Sequence, residues 1–323
     1  MDQNGISPQT PAMRDLLKSL GIFAEVVELY RQHDRFTEYL VDGKYVLRLS
    51  ESELPEQKKN IRVNSLPFVS KIHSSGPCTV FGNTYHYLLF DYIHGGDLWS
   101  AAPRLTKKEQ YIIGMEIALF LNELHSIAGD FYDIGHYIPT IPQWKKTWRE
   151  GHIEYAAILE NGLSKIGLEA KNQKTISKAF DFIRANMDAL DYAAGAKLLH
   201  NDFHPKNIIV HEGRLTGVVD WECSQFGEAD FELSRLFDWC VYPDSYLCQT
   251  NNLDTLLKSV VEHLRFASAI PDMDRRMTVY QLEHELNQLV WNGKNQEEER
   301  MVRINGWLDG KIDILWRTNR WKI

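Results

Sequence analysis

Residues 200–207 read HNDFHPKN, which puts two histidines, an aspartate, a lysine and an asparagine into eight positions. Side chains of these types so close together could chelate a metal, form a catalytic loop, or make a polar turn with no chemistry. His200, Asp202 and His204 alternate, so an extended segment would turn all three to one side. With Asp220 as a fourth ligand, such a set could hold zinc or iron. Pro205 and the shortness of the run argue against a regular strand here.

A second pattern extends beyond the loop. Asp202 precedes Asn207 by five residues, and Asn207 precedes Asp220 by thirteen, with a hairpin between them. The same order of an aspartate, an asparagine and a second, metal-binding aspartate serves phosphoryl transfer in kinases. The chemistry explains the residue types. The transferred phosphoryl group and its leaving group carry dense negative charge, which magnesium ions neutralise by bridging the phosphates. Mg²⁺ takes hard oxygen ligands, and an asparagine amide and a carboxylate both supply them. A separate carboxylate must accept the hydrogen bond of the attacking hydroxyl and orient it. On this reading Asp202 meets the hydroxyl, and Asn207 and Asp220 hold Mg²⁺.

These residues need elements to position them. In LLHNDFHPKNIIVHEGRLTGVVDWE, the segments IIV and LTGVVDW read as short strands joined through HEGR. Residues 107–127 place Ile113, Ile117, Phe120, Leu121 and Leu124 on one helical face, and residues 173–190 do so with Ile176, Phe180, Ile183 and Met187. From about 228 to 320 the pattern is again mainly helical. The N-terminal part differs in character. After a short helix over 11–20, EVVEL, FTEYLV and KYVLRL read as strands, the last two flanking an Asp42-Gly43 turn. Residues 53–74 read as a helix interrupted by Pro67. YHYLLFDYI, 85–93, reads as a buried strand that ends before Gly95-Gly96. The plan is α+β: a small antiparallel sheet lobe over 1–94, a hinge near 91–97, and a larger, mainly helical lobe over 95–323 interrupted by one hairpin.

HNDFHPKNIIV, then VVDWE, then FGEADFELSRL resembles the aminoglycoside phosphotransferase family. These are small-molecule kinases of protein-kinase-like, bilobal fold, and they include antibiotic, choline, homoserine and hygromycin kinases. The family pattern is H-G-D-x-H-x-x-N, a short hairpin, I-D-[WF]-[ED], and a tail like G-D-P-x-x-D-L-A. The resemblance spans roughly 25–240. It implies that Asp202 is the catalytic base or orienting carboxylate, that Asn207 and Asp220 are metal ligands, and that His204 approaches the γ-phosphate. His200 would hold the loop's shape by bonding its backbone. Glu222 would serve the second metal or the substrate, and Glu232, the last acid of the tail, would support the site.

In the N-terminal lobe, KYVLRL puts Arg48 where kinases carry a lysine that contacts the α- and β-phosphates. Arginine binds phosphate through a planar fork rather than as a point charge. Leu47 and Leu49 would face the core and Arg48 the cleft. Glu56, or else Glu53, would pair with Arg48. The turn RQHDR has no glycine, unlike the glycine-rich loop of kinases. The base of ATP or GTP would meet backbone groups of Asp91 and Ile93. Glu222, Asp238 and Trp239 would receive a cationic acceptor by ion pairing and cation–π contact.

Bulk composition agrees with this. The 323 residues are too many for one ordinary core and suit two lobes. A net charge of −8 argues against a nucleic-acid binder; it suits a cationic or metal-bound partner, and a solvated acidic surface explains it as well. Cys78, Cys223, Cys240 and Cys248 form no C-x-x-C pair or zinc spacing, so free thiols of a reducing compartment are expected. MDQNGISPQTP has no basic segment leading into an apolar run, and no run of about 18 apolar residues follows. A cytoplasmic protein without a membrane partner is expected. The H-R-D, D-F-G and A-P-E motifs of protein kinases are absent. The expected activity is Mg-dependent transfer of a nucleotide γ-phosphate to a hydroxyl of an aminoglycoside-like antibiotic. The alternatives are another small metabolite as acceptor (an amino alcohol, homoserine or a sugar) or a catalytically silent nucleotide-binding protein of the same fold.

Overall fold

Alternation along three strands builds the first sheet. Tyr39, Leu47 and Leu89 are paired across it in one row, and Glu38, Arg48 and Leu88 in the next. Successive residues of a strand point to opposite faces, so the row of Tyr39 faces a core and the row of Glu38 faces away from it. A computed structural model describes residues 11–53, 63–80, 82–132, 147–241, 253–265 and 269–310. In chain order the described elements begin with α1 (Pro11–Ser19), β1 (Val27–Gln32), β2 (Thr37–Val41), β3 (Tyr45–Ser50), β4 (Ile72–Val80), β5 (Asn83–Asp91), β6 (Gly96–Asp97) and α2 (Leu98–Ala101). Next come α3 (Lys107–Leu124), α4 (Trp148–Ser164), α5 (Ala170–Ala185), β7 (Lys197–Leu199), β8 (Ile208–His211), β9 (Arg214–Val218) and β10 (Gln225–Gly227). The last are α6 (Ala229–Val241), α7 (Asp254–His263), α8 (Met273–Asn292) and α9 (Glu297–Leu308).

The chain divides into two compact units, Met1–Leu98 with Lys206–Glu222, and Trp99–Pro205 with Cys223–Ile323. In the first, five antiparallel strands run in the order β1-β2-β3-β5-β4. Met13 and Leu17 of α1 pack with Val27, Tyr39, Val41, Leu47, Leu49, Tyr87 and Leu89 on one face of this sheet. The β2–β3 turn uses Asp42 and Gly43 at φ 51° and 61°, and the Lys44 N–H donates to the Val41 carbonyl at 2.9 Å. The first strand pair beyond it is Val41 with Tyr45.

The helix expected over 53–74 is corrected over 64–74, where turns and bends lead into strand β4 from Ile72. Residues 54–62 lie outside the described residues. Glycine and proline are both unfavourable inside a strand, and this segment carries Gly76 and Pro77. It forms a strand nonetheless because β4 is an edge strand, where a proline need not donate to a second neighbour.

The hairpin of β8 and β9 belongs to this first unit. Its turn residues Glu212 and Gly213 take φ 48° and 72°, and β8 pairs on its other side with β6. Gly217 is required here, because a Cβ would fall about 2.5 Å from the Ile93 side chain that packs over it.

The second unit is mainly helical. Thr106 and Glu109 form a reciprocal capping box that starts α3. Ile113, Ile117, Phe120, Leu121 and Leu124 are all fully buried. Gly114 lets α3 approach α7 closely, since a Cβ there would sit 2.4 Å from the Leu256 carbonyl oxygen. Ile176, Phe180 and Ile183 of α5 are buried as their spacing predicted, and Met187 follows in a 3-10 turn. Strands β7 and β10 form an antiparallel pair that leads into the loop at 200–204. Among the described residues, no helix is long and apolar enough to cross a membrane.

Candidate active site

The loop after β7 is held from beneath. Phe203 is fully buried and stacks with Phe120 of α3 at 6.2 Å between centroids. The backbone N–H groups of His200 and Asn201 donate to Oε2 and Oε1 of Glu232 at 2.6 and 2.9 Å. Glu232, on the first turn of α6, has no solvent exposure. His200 is equally buried, and its Nδ1 accepts the Asp202 N–H at 3.3 Å. Asn201 takes a left-handed φ of 63°, which reverses the chain between these anchors.

With His200 and Phe203 pinned inward, Asp202 and His204 remain partly exposed, at 34% and 18% of their side chains. His204 Nε2 lies 3.4 Å from Asp202 Oδ2, and the His204 N–H donates to the Asp202 carbonyl at 3.0 Å. Burial by itself pushes the Asp202 carboxyl up. The adjacent His204, with His200 and Arg235 further away, outweighs burial and holds its pKa below the ordinary carboxylate value. Asp202 is therefore ionised at neutral pH.

The acids of the tail FGEADFE divide the support. Glu228 accepts from the Tyr132 hydroxyl and from the N–H groups of Ala194 and Gly195. Asp230 and Arg276 form a fully buried, bidentate pair at 2.6 and 3.0 Å. Arg276 uses its remaining donors on the carbonyls of Ala189 and Tyr192 and on the Tyr280 hydroxyl. The sequence reading did not single out Asp230 or Arg276. No motif marks their pairing, because 46 residues separate them.

In the first unit, Asn207 and Asp220 stand at the same end of the β8–β9 hairpin. Ile208 pairs with Val218, and the Val219 N–H donates to the Asn207 carbonyl at 3.0 Å. Asn207 is buried, whereas Asp220 is exposed with a left-handed φ of 67°. A non-glycine residue in that region carries backbone strain of the kind that gathers at functional sites. An amide oxygen and a carboxylate at one hairpin end fit Mg²⁺, which takes few protein oxygens and completes its shell with water and phosphate. Among the described residues, no three His, Cys, Asp or Glu side chains converge as a metal site. Glu222 pairs with Arg35 of the β1–β2 turn at 3.3 Å.

Arg48 lies on the sheet face opposite the core. Its Nε and Nη2 both donate to Oε1 of Glu38, at 2.9 and 2.8 Å. Its guanidinium stacks on the Phe36 ring at 4.2 Å. The glycine-free turn closes with hydrogen bonds in both directions between His33 and Phe36. Neither Asp34 nor Arg35 takes a positive φ, so this turn has no need of glycine.

At the end of β5, the Asp91 N–H donates to the Lys71 carbonyl and its own carbonyl accepts from Ser70 Oγ. The Ile93 main chain makes no hydrogen bond among the described residues. Glu56 lies outside the described residues. Asp238 and Trp239 fall within α6, and their side chains lie outside the described residues as well.

The model of the phosphotransferase enzyme family (APH) matches residues 32–253. Over 42 residues the chain is 38% identical to hygromycin-B 4-O-kinase from Escherichia coli, a stretch that makes up 13% of this chain and 12% of that protein. In structure, 94% of the chain is similar to 97% of APH(2")-IIa in its streptomycin–ATP ternary complex, with TM-score 0.60 and 17% identity. A thermostable mutant of aminoglycoside phosphotransferase APH(4)-Ia, in ternary complex with AMP-PNP and hygromycin B, matches 93% of the chain over 97% of its own length, with TM-score 0.61 and 18% identity. Likeness at such identity is likeness of fold, and the fold is the α+β, kinase-like one expected from the motifs.

Proposed function

Because this chain belongs to the phosphotransferase enzyme family, whose small-molecule kinases share its fold, we propose that it transfers the γ-phosphate of ATP to a hydroxyl of an aminoglycoside-like acceptor. The observation that carries this reading is the presentation of Asp202. It is ionised, partly exposed, and set on a loop clamped by Glu232 and Phe203, five residues before Asn207.

Asp202 accepts the hydrogen bond of the acceptor hydroxyl and aims its oxygen at the γ-phosphorus. The new P–O bond forms as the bond to the β–γ bridging oxygen breaks. ADP leaves, and the hydroxyl proton passes to Asp202. A carboxylate with a lowered pKa is a weak base, so its chief contribution is orientation. His204 lies beside it and approaches the γ-phosphate from the same loop. Asn207 and Asp220 would hold Mg²⁺, which supplies charge neutralisation along the phosphates when bound. Arg48 contacts the α- and β-phosphates, and the main chain of Ile93, two residues past Asp91 and without a hydrogen bond among the described residues, receives the base. A cytoplasmic location, where ATP is supplied, fits this reading.

The net charge of −8 and the short match to hygromycin-B 4-O-kinase support a cationic sugar as acceptor. The test is ADP release by purified protein with Mg·ATP or Mg·GTP. The acceptor panel is hygromycin B, streptomycin, gentamicin, choline and homoserine. Turnover with an aminoglycoside is expected. Turnover with choline or homoserine alone would reassign the acceptor, and absence of both nucleotide binding and turnover would overturn the kinase reading.

A further inference from the structure

We propose that Glu38 is a positioning residue for phosphoryl transfer: a strand-borne carboxylate that fixes Arg48 for the nucleotide phosphates. The inference rests on the phosphate role proposed for Arg48 above.

Glu38 stands directly across from Arg48 in the β2–β3 register, so both side chains leave the same sheet face. The carboxylate is almost fully buried, at 4% exposure, while Arg48 keeps 18%. A buried carboxylate must remain paired, and the register makes Arg48 its partner. Both Nε and Nη2 bond to the same oxygen, at 2.9 and 2.8 Å, which fixes the plane of the fork. The rings of Phe36 and Phe90 lie over the guanidinium at 4.2 and 5.5 Å and limit its tilt. Phe36 also stacks on His33 at 5.0 Å, so the glycine-free turn and the arginine form one packed assembly.

This arrangement gives a reason for arginine where kinases use lysine. An ammonium is a point charge that one acid can hold in place. A guanidinium can spend its Nε side on Glu38 and still present another edge of its fork to phosphate. Orientation then comes from a neighbouring strand.

The experiment is calorimetric titration of ATP and of adenosine into the wild-type protein, Glu38→Gln, Arg48→Ala and the double variant, with melting temperatures measured alongside. Loss of one charge-assisted contact is expected to weaken ATP about tenfold in each single variant. Adenosine, which has no phosphates, should bind unchanged, and the double variant should be no weaker than Arg48→Ala. If Arg48→Ala weakens ATP and Glu38→Gln does not, Glu38 loses its role and the Arg48 reading stands. If Arg48→Ala binds ATP like wild type, the Arg48 reading itself falls. Equal weakening of ATP and adenosine by Glu38→Gln would make Glu38 merely structural. Should Glu38→Gln fail to fold, Arg48→Lys tests the same point. A lysine that keeps wild-type ATP affinity would refute the anchored fork.

Discussion

Replacing Glu232 should damage catalysis from beneath the loop. Its two oxygens accept the buried amides of His200 and Asn201 at 2.6 and 2.9 Å. Glu232→Ala strands both donors away from water. An unsatisfied buried donor costs about 1–3 kcal/mol, so the pair comes to about 2–6 kcal/mol. That is a large share of the roughly 5–15 kcal/mol by which domains are stable, so the alanine variant is a poor probe. Glu232→Gln is the better one. It keeps one acceptor and sets an amide NH₂ against the second N–H, which should lower stability by about 1–3 kcal/mol while leaving the protein folded. The catalytic effect follows from geometry, since Asp202 begins one residue after the second clamped amide. A displacement of about 1 Å at a reacting group can cost about 100-fold in rate. Urea denaturation and kcat with the best acceptor measure the two effects. The reasoning is refuted if Glu232→Gln unfolds within about 0.5 kcal/mol of wild type and turns over at the wild-type rate.

Three further outcomes are expected. Arg276→Met leaves Asp230 buried without its partner and should cost about 3–5 kcal/mol in urea unfolding, with ATP affinity of the folded fraction unchanged. Asp202→Asn should lower kcat by about 10²–10⁴ with little change in the KM for ATP. Because the folded pKa of Asp202 is depressed, its contribution to stability is present above the ordinary carboxylate pKa of about 3.9 and is lost as pH falls through the folded value. The stability difference between wild type and Asp202→Asn should therefore change as pH falls below about 4, and a difference that stays flat there would contradict the assignment. Chelation with EDTA should abolish turnover and added Mg²⁺ restore it, and Asp220→Asn should raise the Mg²⁺ concentration needed for half-maximal rate.

The helices were legible where burial is one-sided. Ile113, Ile117, Phe120, Leu121 and Leu124 recur at helical spacing and are all fully buried. Strand β4 was not legible, although its residues alternate between exposed and half-buried. Gly76, Pro77 and three serines or threonines hide a strand, and an edge position tolerates what a central strand would not. Long-range polar pairs leave even less trace. Arg276 and Asp230 meet because α8 packs beside the start of α6, and neither residue carries a local pattern that would announce the other.

The candidate site divides along the same physical line. The parts proposed within one short segment, Asp202, His204 and Asn207, are singled out by spacing along the chain alone. Glu38 depends on register across two strands, and there the reading turns on a single residue. A two-residue Asp42-Gly43 turn would pair Val41 with Lys44 and set Glu38 opposite Leu47. The observed turn pairs Val41 with Tyr45, which sets Glu38 opposite Arg48. A slip of one residue moves a side chain to the other face of a sheet. The apolar pattern already contained the answer, since only the observed register puts Tyr39 and Val41 on the same face as Leu47 and Leu49. The core of the sheet thus decides which acid meets the arginine, and a change made to the core for packing alone should be felt at the Glu38–Arg48 pair.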